Sequence, residues 1–93
     1  MMANVEEGLV QQYVSEIQAL TVKAYHGEDV KARVQDSVAQ AVAHFNIIVG
    51  SDPKANVAAY RGRLKLYADL THESQPAVRE TLLYAASVCP ESV

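Results

Sequence analysis

The side chains best placed to do chemistry in this chain are four cations, Lys54, Arg61, Arg63 and Lys65, in a stretch with no acidic residue between Pro53 and Ala68. On a helix, spacings of seven and four return Lys54, Arg61 and Lys65 to one side, which makes a basic ridge. Beside Tyr60, such a ridge suits a phosphate, a nucleotide or an acidic patch on a protein: arginine offers bidentate contacts and tyrosine a stacking surface. The plainer alternative is a solvated face that pairs with Glu or Asp of neighbouring helices.

The other candidates point away from catalysis. His26, His44 and His72 share no helical ligand spacing and form no His-Glu-x-x-His or Glu-x-x-His pattern, so no metal site is expected. His26 is expected at the end of a helix, where a protonated ring complements the dipole. His44, next to Phe45, is expected to border the core as a hydrogen-bonded structural histidine. No serine, threonine or cysteine sits in a nucleophile motif, and glycines at 8, 27, 50 and 62 are too scattered for a phosphate-cradling loop. The adjacent pair Glu6 and Glu7 point to different sides of a helix. Cys89 is read as a small apolar filler. No catalytic residue, no cofactor and no enzymatic activity are expected.

Positioning these residues falls to helices. In the first, Val10, Val14, Ile17, Thr21 and Ala24 alternate steps of four and three, and Leu9, Tyr13 and Leu20 widen the stripe. In the second, Val34, Val38, Ala41, Phe45 and Ile48 do the same, with Lys31, Arg33, Gln35, Asp36 and Gln40 largely opposite. A valine-rich strand would alternate with period two, which this segment does not. Asn4 with Glu7 reads as a capping box, Asp29 as the second N-cap, and Asp52 with Pro53 as the strongest helix start. Gly27 ends the first helix, Gly50 is expected in the left-handed position that ends the second, and Pro90 closes the fourth. Val78, Leu82, Leu83, Ala85 and Ala86 are the expected buried face of that last helix. Gly62 predicts a bend or the close approach of another backbone, with Ala58 on the same face.

These signals predict an all-α fold, a compact antiparallel bundle of four amphipathic helices over roughly 4-26, 29-49, 52-70 and 75-88, in a single domain 1-93 with a frayed tail at 90-93. The rival is a three-helix core with the short fourth helix across one end. The chain's 93 residues, 49% hydrophobic and 20% charged, suit a domain that needs no disulfide or metal. Glu6 and Glu7 stand where a signal peptide needs cations, the longest apolar runs are too short for a membrane span, and a lone cysteine fits a reducing cytoplasm. The third helix carries two apolar arcs: Val57, Tyr60, Leu64 and Tyr67 on one side, and Ala59, Leu66 and Leu70 nearly opposite. Two arcs imply two partners, or a helix central to the monomer. The second arc is therefore a candidate oligomer face, and self-association is expected.

The function this favours is a small non-enzymatic protein–protein interaction module, an adaptor, inhibitor or regulator whose partner is another protein. Five tyrosines, a residue type enriched in interfaces, agree with it. The alternatives are a binder of a small anion or nucleotide on the basic ridge, and a helix-turn-helix DNA binder in which Asp52 and Pro53 follow the turn. A net charge of −3 argues against broad nucleic-acid binding.

Overall fold

A computed structural model of the chain describes residues 5–90. Four helices follow one another: α1 (Glu7–Tyr25), α2 (Lys31–Ile47), α3 (Pro53–Leu70) and α4 (Pro76–Val88). They form a four-helix bundle, 42 × 23 × 21 Å, in which every pair of helices touches and α4 lies most extensively against α3 and α1. The arrangement with a fourth helix merely set across one end is not adopted.

The apolar stripes do the packing. Val10, Tyr13, Val14 and Ile17 of α1 meet Val34, Val38, Ala41 and Phe45 of α2, Val57, Tyr60, Leu64 and Ala68 of α3, and Leu82, Ala85 and Ala86 of α4, with Cys89 just beyond. Valine loses side-chain freedom in a helix, and burial offsets that penalty here. A chain of edge-on rings runs through the middle, Tyr13 to Phe45 at 5.9 Å and Phe45 to Tyr60 at 5.8 Å between centroids. Leu83 departs from expectation: it is 39% exposed and lies on the rim. Ala24 and Ile48 are half-buried.

The helix ends show where local signals prevail and where tertiary bonds override them. At the end of α1, Gly27 takes φ +92°, its N–H bonds Ala24 O, and the Glu28 N–H bonds Lys23 O, a Schellman closure. Asp52 caps α3 by accepting the Lys54 N–H at 3.0 Å, with Pro53 in the first turn. Three boundaries differ from the sequence reading. Asn4 lies outside the described residues, and α1 begins at Glu7, so Glu7 is the first helical residue rather than the third of a capping box. The Glu6 N–H is held instead by Asn56 Oδ1 of α3 at 2.8 Å, a tertiary partner in place of a local cap. In the second helix Val30 occupies the cap position one residue later than expected, while Asp29 still accepts the Lys31 N–H at 3.1 Å. That helix also stops at Ile47; Ile48 is extended, and Val49 beyond it is 97% exposed. Gly50 adopts the left-handed φ of +88°, but within the connector.

At Gly62 the close approach of another backbone, one of the two expected causes, is not found among the described residues. A Cβ placed there meets nothing within 4 Å, so no described backbone crosses it. Gly62 and Ala58 both face outward.

Candidate functional site

α3 is the element with two different faces. Its inward arc buries Val57, Tyr60 and Leu64, with Tyr67 half-buried. Nearly opposite, Leu66 is 52% and Leu70 71% exposed, while Ala59 is half-buried against the core. Along the helix surface, Ala58, Gly62, Leu66 and Leu70 form one row at successive spacings of four. The next row, on the α4 side, carries Arg61 and Lys65.

The basic ridge survives in part. Lys54 and Lys65 are exposed and Arg61 is half-buried, its Nη1 donating to Pro90 O at 3.5 Å. Arg61 and Lys65 line a cleft of about 230 Å³ between α3 and α4, with Leu83, Ala86, Ser87 and Cys89. Two members leave the set. Arg63 turns to the other flank and pairs with Glu7 of α1. Tyr60 is fully buried, so it offers no stacking face; it neighbours Arg61 in sequence but points about 100° away around the helix.

Burial governs the titratable groups under this cleft. The Cys89 thiol is buried and pushed up to about 11, although the nearby Arg61 guanidinium pulls the other way. It is therefore a protonated filler near neutral pH rather than an activated nucleophile. The Tyr60 hydroxyl is driven well above its ordinary 10.0, chiefly by burial and further by Cys89, Glu16 and Tyr13, and no hydrogen-bond partner satisfies it among the described residues. Tyr13 is raised as well, by burial and then by Glu16, and its hydroxyl shares a 3.0 Å hydrogen bond with His44 Nδ1. His44 thus borders the core as a bonded structural residue. His26 stands at the C-cap of α1, and His72 is held in its connector by Ser74.

Residues that sequence reasoning missed are mostly polar anchors. Asn56, fully buried, accepts the Glu6 N–H and donates from Nδ2 to Ser51 Oγ at 3.0 Å. Its spacing of four from Tyr60 already set it on the inward arc. Two further clefts also escaped notice. One of about 230 Å³ lies at the α1–α2 corner, rimmed by Glu28, Asp29 and Glu80. A wider apolar groove of about 510 Å³ runs between Val38 and Val42 of α2 and Val88 and Pro90. Among the described residues, no three of His, Cys, Asp or Glu gather into a group able to hold a metal ion. No described helix is long and apolar enough to cross a membrane.

The chain matches no family model, no curated protein and no solved structure.

Proposed function

We propose that this protein is a non-enzymatic protein–protein interaction module, an adaptor, inhibitor or regulator that receives a partner on the outer face of α3. The observation that carries this reading is the exposure of Leu66 and Leu70 on a helix whose opposite face is already committed to the core. Neither leucine contributes to the sealed interior, yet both sit in line with Ala58 and Gly62, and no described residue comes within 4 Å of a Cβ placed at Gly62. Apolar side chains grouped in this way mark a surface that gains by being covered. A cytoplasmic setting belongs to the same proposal, supported by the single thiol.

Selecting helical peptides from a display library on the immobilised chain tests the reading. Peptides that bind the wild type should lose binding to a Leu66→Glu/Leu70→Glu variant, which should fold normally because both positions are exposed. Equal binding to that variant would remove the outer face from consideration.

The cleft at Arg61 and Lys65 favours a second reading, capture of a small anion or nucleotide. Its volume of about 230 Å³ and its two cations supply space and charge, and Ser87 adds a hydroxyl. Thermal-shift measurements with inorganic phosphate and nucleotides address it: stabilisation that disappears in Arg61→Glu/Lys65→Glu would support it, and an unmoved melting temperature with every anion would eliminate it.

A further inference from the structure

The apolar row of α3 and the cationic row beside it form one continuous surface, and we infer that its occupant is an acidic amphipathic helix of another protein. The inference rests on the interaction-module reading and adds the chemistry of the partner.

The charge is one-sided. Arg61 and Lys65 rise along the α4 flank of the row Ala58, Gly62, Leu66 and Leu70, and Lys54 begins that row at its N-terminal end. On the other flank the one cation, Arg63, is already paired with Glu7. A helix laid over the row therefore meets Arg61 and Lys65 along one edge, where Asp69 follows Lys65 by one turn and no ion pair holds either cation among the described residues, which selects a partner with carboxylates along one edge and fixes its orientation. The relief of the row is uneven in a matching way. Leu66 and Leu70 stand out from the surface, whereas Ala58 and Gly62 leave a low stretch in which a bulky aliphatic side chain can seat.

The same helix of a second copy is a poor occupant of this surface. α3 carries no acidic residue between Pro53 and Ala68, so pairing α3 with α3 sets cation rows near one another with nothing on either helix to oppose them except Asp69. Like charges brought together at an interface oppose association. The self-association expected from the second apolar arc thus meets an electrostatic obstacle that an acidic helix does not.

Two synthetic helical peptides as long as α3 test this, both with one leucine row at spacings of three and four, one edged with glutamate and the other with lysine. Fluorescence anisotropy against the full chain should show the glutamate-edged peptide binding at least about tenfold more tightly, with an affinity that falls as salt rises. Gly62→Trp, which fills the open low point, should weaken that binding at least about tenfold; Arg61→Glu/Lys65→Glu should reverse the preference in favour of the lysine-edged peptide. Circular dichroism checks the fold of each variant, and Ala58→Trp replaces Gly62→Trp if the latter is unfolded. Equal binding of both peptides, lost on Gly62→Trp, would overturn the acidic partner while leaving the interaction face standing. Binding of neither peptide would remove both. Binding of the glutamate-edged peptide that survives both tryptophan variants but not the charge reversal would assign the surface to bare anions, and tighter binding to phosphatidylglycerol vesicles than to the peptide would assign it to a lipid headgroup surface; either result overturns the inference.

Discussion

The inner and outer faces of α3 carry apolar residues at the same helical spacing and have opposite fates. Leu64 is fully buried, and Leu66, two residues on, is 52% exposed. The difference lies in the neighbours. The inner arc meets α1, α2 and α4 at once, whereas no described residue packs over Gly62 in the outer row. An apolar stripe therefore identifies a surface that can be covered, and the number of stripes on a helix need not equal the number of helices available to cover them.

Truncating one leucine from each face breaks the comparison most sharply. Leu64→Ala should cost about 2–5 kcal/mol, because it deletes atoms from a filled core and leaves a cavity. Leu66→Ala should stay within about 0.5 kcal/mol, as exposed substitutions do. Urea unfolding of the two variants reads the difference directly; similar losses would mean that the outer face is part of the folded core.

The polar anchor of the inner face comes next. Asn56→Ala removes the acceptor for the Glu6 N–H and the donor to Ser51 at a fully buried site, and should destabilise by about 1–3 kcal/mol. Amide exchange at Glu6 and along the first turn of α1 should speed up with it, since that turn has no side-chain cap of its own. Unchanged exchange would show that the α1 entry is held by other means.

Tyr60 is the flaw in the inner face, and its variant should act in the opposite direction. Tyr60→Phe keeps the ring against Phe45 and removes a buried hydroxyl that finds no partner among the described residues, so it should stabilise by about 1 kcal/mol. The same hydroxyl makes stability depend on alkaline pH. Tyr60 and Cys89 both titrate higher when folded than when unfolded, so the folded chain retains protons that the unfolded chain has begun to lose. Their contribution is complete below the ordinary thiol value of 9.0 and is lost progressively as pH rises towards about 11 and beyond. Melting temperatures measured across that interval should fall less steeply for Tyr60→Phe than for the wild type.

Much of this contrast was legible in the residues. Val10, Val14 and Ile17, like Val34, Val38, Ala41 and Phe45, repeat at helical intervals, and Asp52 with Pro53 is a start signal complete in itself; both features depend only on nearby chain. The second arc of Leu66 and Leu70 was visible for the same reason. What escaped depends on which helices become neighbours. Asn56 replaces a cap fifty positions away, and Arg63 leaves the ridge because α1 delivers Glu7 to it. Tyr60 was drawn into the ridge by adjacency to Arg61, although its own spacing with Val57 and Leu64 turned it inward.

The smallest effect separates the fold's demands from those of a partner at a single position. Gly62 is helical, it has no positive φ, and a Cβ there meets nothing. Gly62→Ala should therefore raise stability by about 0.5–1 kcal/mol through helix propensity alone. Glycine at an open mid-helix position is a standing cost to the monomer, and covering the helix by another surface would give it a use. Thermal unfolding of Gly62→Ala measures the first half of that statement. A variant less stable than the wild type would mean that something already packs over Gly62, and the outer face would then belong to the fold rather than to a partner.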